Sequence, residues 1–222
     1  MIEVIDNALP ESIFKEFYPK VTKPLFPWYL GNDVTKNYAE FDNDNPRGKV
    51  ISVTPSATDD KGITGICFDK NTIPSFQFFH KLYDMFDTPK INSPHFDLFN
   101  KPIFDFLRNN KKIGGTLFRS KLNLLTNNHN IKSNNFHNIP HIDIEKPHIS
   151  VLLYLNNSDG DTVFFNERYD EKKEKPKSIS IKQKISPKEN RMVISDGNYH
   201  CSTNPINTDY RIVYNAVLLI DE

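Results

Sequence analysis

Between residues 113 and 220 the chain is a succession of short runs rich in β-branched and aromatic residues, at 116–125, 149–156, 162–165, 179–184, 192–195 and 210–219, separated by polar turns. Runs of this length and spacing specify many short strands, and closely spaced strands with polar connections fold as a sandwich or jelly roll. Two polar stretches interrupt the series, an Asn-rich loop at 126–138 and a Lys/Glu-rich segment at 167–177, the second read as a solvated hairpin tip or a lid. The first half reads differently. Residues 2–5 predict a strand, and Pro10-Glu11-Ser12 opens a helix turning Ile13, Phe14 and Phe17 inward. A strand is expected at 49–53. The three-and-four spacing of Phe76, Phe79, Leu82, Tyr83 and Phe86 predicts an amphipathic helix over 73–86, and Phe96, Phe99, Ile103, Phe104 and Leu107 a second after Ser93-Pro94. Such helices cover one face of a sheet. The expectation is one domain over 1–222, with 1–112 supplying the strand-helix opening and supporting helices and 113–222 the jelly-roll core.

Charge excludes one class of partner. The chain has 28 basic and 28 acidic residues and no long basic block, so the counterion release that drives nucleic-acid binding has no source. The first residues lack a basic segment followed by an apolar one, and no apolar run approaches the ~18 residues of a membrane span. The expectation is a soluble, cytoplasmic protein without a nucleic-acid or membrane partner. Cys67 and Cys201 are too few for a disulfide framework or a thiolate zinc site. Cys201 follows His200, and neighbours in a strand point to opposite faces, so a buried thiol is expected there.

The stretch 140–154, Pro-His-Ile-Asp-Ile-Glu-Lys-Pro-His-Ile-Ser-Val-Leu-Leu-Tyr, carries the first chemical signal. In an extended segment His141 and Asp143 share a face and present an imidazole beside a carboxylate. Seven His and 18 Asp give roughly 0.6 such triplets by chance, so the pair means little alone. It gains meaning from the residues downstream: Tyr154-Leu155-Asn156, then Gly160-Asp161-Thr162-Val163-Phe164, then Asp196-Gly197-Asn198-Tyr199-His200, and Arg211 inside the last strand.

This ordered set resembles the Fe(II)- and 2-oxoglutarate-dependent oxygenase superfamily, and within it the prolyl-hydroxylase-like branch. The resemblance spans roughly 113–220 and, more loosely, the opening. It implies a mostly β fold with flanking α, a double-stranded β-helix or distorted jelly roll buttressed by helices from the N-terminal half. It also implies Fe(II) and 2-oxoglutarate as cofactors and O2 as co-substrate. Two imidazoles and one carboxylate on one face of a metal leave three adjacent positions open, as non-haem iron requires when it binds a co-substrate and O2 together. His141, Asp143 and His200 supply that set, with the third arriving from a facing sheet. In the family the keto acid chelates the iron and its distal carboxylate meets a buried cation. Arg211 fits, because a guanidinium pairs bidentately and keeps its charge when buried. Tyr154 matches a tyrosine touching the same carboxylate, with a core tyrosine as the other reading. On the preceding run Arg119, Lys121 and Asn123 alternate with apolar residues; this polar face meets solvent or lines the interior, and Asn123 is a candidate contact near the metal-bound end of the keto acid.

His80 and His95 fall in the expected helical region and His129 and His137 in the Asn-rich loop, all ordinary polar positions, while His148 shares a face with Tyr154. The expected reaction is hydroxylation of a C–H bond, giving succinate and CO2. The branch favours a peptidyl side chain, with a free amino acid or small metabolite next. Asp143 disfavours halogenation, whose enzymes lack the carboxylate. The Asn, Lys and Ile content looks like AT-rich coding, and the compact form resembles uncharacterised oxygenases of marine bacteriophages, which would place the protein in a host cytoplasm. Two other classes stay open: a jelly-roll binding module without turnover, and a zinc hydrolase using the same His/Asp/His set to activate water.

Overall fold

A computed structural model describes residues 1–31, 39–41, 50–53, 75–85, 89–127, 135–170, 172, 176 and 178–220. The elements run β1 (Ile2–Ile5), α1 (Glu11–Phe14), α2 (Phe17–Val21), β2 (Tyr29–Gly31), β3 (Ala39–Phe41), β4 (Val50–Val53), β5 (Gln77–Asp84), β6 (Lys90–Ile91) and α3 (Phe96–Phe106). A π-helical turn over Leu107–Lys111 ends α3. The second half is all strand: β7 (Thr116–Thr126), β8 (His148–Tyr154), β9 (Thr162–Arg168), β10 (Ile181–Ile185), β11 (Met192–Asp196), β12 (Asn198–Ser202) and β13 (Tyr210–Leu219). Cys67 and His129, and most of the loop at 126–138, lie outside the described residues.

Eight strands form the larger antiparallel sheet, in the order β1-β11-β8-β13-β7-β5-β2 with β6 against β5, and a smaller sheet faces it in the order β10-β9-β12. This is the double-stranded β-helix, or jelly roll. The central strand β13 pairs with β7 on one side and β8 on the other, and its residues Arg211–Leu218 are buried throughout. A strand covered on both faces loses the polar alternation of an exposed one, which explains the unbroken run Ala216-Val217-Leu218.

Three layers result. The outer face of the large sheet turns Leu82, Leu122, Val151, Leu153, Ile212 and Tyr214 toward α1, α2 and α3, which return Phe14, Phe17, Phe99 and Ile103. Between the sheets Leu152, Tyr154, Val193 and Val213 meet Phe164 and Ile185. Each fully buried Leu, Ile or Phe contributes roughly 1.5–3 kcal/mol relative to exposure, and the helices are held chiefly by this face.

The structure corrects three expectations. Within the segment expected as a helix over 73–86, of which residues 73, 74 and 86 lie outside the described residues, Gln77–Asp84 form β5, which pairs with β7 from Phe78↔Leu124 to Asp84↔Arg119. Its most buried residues are Gln77, His80 and Leu82, and the last two follow a period of two. Phe and Tyr are good strand formers, and pairing with β7 decides the matter over a helical coincidence of spacing. The helix expected from Pro10 comes as two short helices, and Ile13 is 38% exposed rather than inward. His80 therefore sits on a strand, its ring bonded to Ser93 Oγ at 2.7 Å and the Pro27 carbonyl at 2.9 Å.

Two glycines of the chemical motifs have structural reasons. A Cβ at Gly160 would lie 2.9 Å from the Thr203 carbonyl oxygen and 3.1 Å from Pro205, so only glycine lets these segments touch. Gly197, at φ +57°, makes the left-handed turn that joins β11 to β12 across the two sheets. Beside Gly160, the Asp159 carboxylate accepts bonds from the backbone N–H groups of Ile206, Asn207 and Thr208 and from the Thr208 hydroxyl at 2.7 Å. Burial works against its charge, but these donors hold it down at about 2. Asp159→Ala is expected to cost roughly 2 kcal/mol of stability at neutral pH, read from the midpoint of urea unfolding. Because the folded value lies below the unfolded one, that contribution is present above pH ~4 and fades as pH falls toward 2.

Candidate metal centre

His141 lies between strands, yet its backbone forms an isolated bridge with His200 of β12: His141 N–H donates to the His200 carbonyl at 2.9 Å, and the reverse bond is also 2.9 Å. This bridge carries the loop onto the small sheet and sets the imidazoles side by side, with ring centroids 4.8 Å apart and ring planes tilted by 49°. Alternation persists through the loop. Ile142 is fully buried in the opposite direction, in a cluster with Val163, Phe165, Tyr199 and Cys201, so Asp143 returns to the face of His141. His141, Asp143 and His200 offer ligand atoms that all lie within 4.8 Å of one another. His200 Nε2 is 3.6 Å from Asp143 Oδ2.

Each part of this set is oriented from behind. His141 Nδ1–H donates to the Ile139 carbonyl at 2.9 Å, and His200 Nδ1–H to the Asn198 carbonyl at 3.0 Å. Fixing both protons on Nδ1 leaves both Nε2 lone pairs for a metal. Burial, reinforced by the neighbouring His200, pushes His141 down to about 3, so it is neutral at physiological pH. Asp143 is held on both oxygens: Arg119 Nη2 donates to Oδ1 at 2.7 Å, and Ser150 Oγ donates to Oδ2. Burial opposes its charge, but His200 and Arg119 outweigh burial and keep the carboxyl well below the usual range.

Deeper between the sheets a second group assembles. The Arg211 side chain lies over the Tyr154 ring, 5.4 Å from its centroid, and both donate to one acceptor, Thr162 Oγ1, from Nη2 at 2.7 Å and from the phenol at 2.6 Å. Arg211 is 4% exposed and has no carboxylate within ion-pair distance among the described residues; its Nε has no partner. Burial pushes Tyr154 up, so its phenol stays protonated and can donate.

The polar face of β7 lines the interior rather than meeting solvent. Arg119 reaches Asp143, Lys121 interacts electrostatically with Asp143 and His141, and Asn123 stands across from Val213 with its Oδ1 buried and without a partner among the described residues. His148 and Ser150 line the same interior from β8. His137, expected at an ordinary exposed position, is 3% exposed and packs edge-on against Phe165, because the chain around it is pinned to β12 by Asn138. Sequence alone does not single out Ser150, Thr162 or Arg119 as site residues; Thr162 stands in the Gly-x-Thr-x-Phe motif, and Ser150 shares a strand face with Tyr154.

The residues present fit a divalent metal with a dicarboxylate keto acid. The donor set is two imidazoles and one anionic carboxylate, and a buried guanidinium in no ion pair with a described residue calls for an anion. No protein-family model and no curated protein matches the sequence. Solved structures do. A prolyl hydroxylase of Trichoplax adhaerens, in complex with a hypoxia inducible factor oxygen degradation domain peptide fragment, aligns over 98% of this chain and 83% of its own at a TM-score of 0.54 and 14% identity. The epimerase SnoN, in complex with Fe3+, alpha ketoglutarate and nogalamycin RO, aligns over 98% and 78% at 0.53 and 10% identity. The chain has the fold of the Fe(II)- and 2-oxoglutarate-dependent oxygenases. In this oxygenase fold the His141/Asp143/His200 cluster lies where the two sheets meet, and Arg211 lies between them.

Proposed function

We propose that the protein is a non-haem Fe(II)- and 2-oxoglutarate-dependent dioxygenase that hydroxylates a C–H bond of a peptidyl side chain. The observation that carries this reading is Arg211, a guanidinium buried between the sheets with no carboxylate within ion-pair distance among the described residues, although Asp161 attracts it from further away. A hydrolase using the same three ligands has no need of it, whereas a keto acid with a distal carboxylate does. His141, Asp143 and His200 would hold the metal, Arg211 and Tyr154 the distal carboxylate, and Asn123 would face the body of the keto acid. Bound together, the metal and keto acid supply oxidation of a C–H bond by O2, with succinate and CO2 as products.

The chain's own part is orientation and exclusion. Arg119 and Ser150 hold Asp143, backbone carbonyls fix both imidazoles, and the apolar wall of Leu152, Val193 and Val213 keeps bulk water from the keto-acid cleft. The presence of Asp143 argues against halogenation, since its carboxylate takes the position a halide would need. The Trichoplax neighbour's peptide complex supports a peptide substrate; a free amino acid or small metabolite is the second substrate class. We place the activity in one domain acting in a cytoplasm. No helix among the described residues is long and apolar enough to cross a membrane.

The test is an anaerobic titration with Fe(II) and 2-oxoglutarate, watched for the weak visible charge-transfer band that needs both ligands. Arg211→Ala is expected to weaken 2-oxoglutarate binding about tenfold to a hundredfold with little change in metal affinity. Unchanged keto-acid affinity in that variant, or no band from folded, metal-loaded protein, would reject the cofactor assignment.

A further inference from the structure

Three cations stand close together on the inner face of β5 and β7, and only one of them is in no ion pair with a described residue. Arg119 is paired with Asp143, and Lys81 with Asp84. Lys121, directly across from Lys81, makes no side-chain hydrogen bond or ion pair with any described residue. Its inward direction follows from its neighbours, since Ser120 and Leu122 are fully buried on the helix-covered face.

The strand register gives its depth. Inward residues form levels about 7 Å apart along the strands. Nearest the metal-ligand cluster is the level of Arg119, Val217 and Ser150, two of which bond Asp143. Two levels further in are Asn123, Val213 and Tyr154, where Tyr154 and Arg211 meet on Thr162. Lys121 belongs to the level between them, with Asn215 and Leu152. Asn215 is 4% exposed, and its Oδ1 is buried with no hydrogen-bond partner among the described residues. A side-chain amide can turn either its carbonyl or its amino end toward a ligand. An ammonium and an unmet amide thus lie side by side on the inner face, between the metal cluster and the distal-carboxylate group.

We propose that Lys121, with Asn215, is a second anionic anchor of the keto-acid site, binding the metal-proximal carboxylate of 2-oxoglutarate while Arg211 takes the distal one. This rests on the dioxygenase reading of the same site. Burial and the nearby Arg119 lower Lys121 to about 7 against the attraction of Asp143 and Asp84, as befits a buried cation with no anion in contact among the described residues. An anchor here makes the 2-oxo acid end, and not only the distal carboxylate, a determinant of affinity.

The experiment measures binding of 2-oxoglutarate, and of 2-oxobutyrate, which has no distal carboxylate, to Mn(II)-loaded protein by calorimetry. Lys121→Met is expected to weaken both acids about tenfold or more, and Lys121→Arg to stay within about threefold of the parent. Arg211→Met should weaken 2-oxoglutarate alone. Asn215→Asp is a nearly isosteric second variant; it sets a carboxylate beside the ammonium and should weaken both acids even if Lys121→Met does not fold. Parent-like affinity in folded Lys121→Met, or in folded Asn215→Asp, overturns the anchor while leaving the cofactor reading intact. A loss confined to 2-oxoglutarate overturns it too, because Lys121 would then serve the distal end. Failure of the metal-loaded parent to bind 2-oxoglutarate at all removes both proposals.

Discussion

Asp143→Ala is expected to abolish Fe(II) binding at concentrations that saturate the parent protein, a loss of at least about a hundredfold in metal affinity. Removing groups that merely orient a ligand costs ten- to a hundredfold in metal sites, so removing the one anionic ligand costs no less. An imidazole that binds a metal does so as a neutral ligand and brings no charge toward a divalent ion. The geometry adds a second penalty. Arg119 Nη2 lies 2.7 Å from Asp143 Oδ1, and without the carboxylate a guanidinium is left facing the place where the cation must sit. Asp143→Asn separates these effects, because it keeps the shape and the acceptor for Arg119 but removes the charge; it should lie between the parent and Asp143→Ala. Metal titration of folded protein, followed by the paramagnetic signal of free Mn(II), reads both variants. Parent-like affinity in either variant would take Asp143 out of the ligand set and leave its bonds to Arg119 and Ser150 as structural.

Why the metal cluster is legible in the sequence while its surroundings are not is a matter of range. His141 and Asp143 are two apart, and alternation puts them on one face even outside a regular strand, so local chain geometry is enough. His200 and Arg211 come from the order of motifs. β12, the strand that carries His200, is absent from the strands expected by sequence, since Asn-Tyr-His-Cys-Ser contains no Val, Ile or Thr and opens on Asn, a poor strand former; all five residues are buried because β12 lies between β9 and the His141 loop. Arg119 meets Asp143 across 24 residues and Thr162 meets Arg211 across 49, contacts that register fixes and spacing does not. The helix expected at 73–86 fails for the same reason: pairing of β5 with β7 joins segments some forty residues apart, and no window of sequence contains both. Tertiary pairing decides a short aromatic segment whose own preference is divided.

Phe99→Ala is expected to cost roughly 3–5 kcal/mol of folding stability, the usual range for a fully buried Phe. Phe99 has no exposure; its ring is 4.7 Å from that of Phe17 and stacks 6.5 Å from Tyr214, so it joins α2, α3 and β13 at one point. The next residue, Asn100, accepts a bond from the Tyr214 hydroxyl at 2.7 Å inside the same core. A cavity at Phe99 therefore loosens a buried hydrogen bond as well as a ring cluster. Against a typical total of 5–15 kcal/mol the loss is about a fifth or more, and for a chain of this size it lowers Tm by roughly 10 °C. Phe76, 49% exposed, is the control, and Phe76→Ala should stay within about 0.5 kcal/mol of the parent. Urea unfolding of the two variants decides the point, and equal midpoints would mean that the helices do not hold the sheet through this cluster. Metal affinity offers an independent check. Tyr214 faces the helices, whereas Arg211, Val213 and Asn215 on the same strand face the interior. Folded Phe99→Ala at low temperature should consequently bind Mn(II) as the parent does, because its damage lies on the opposite side of the sheet from the metal cluster.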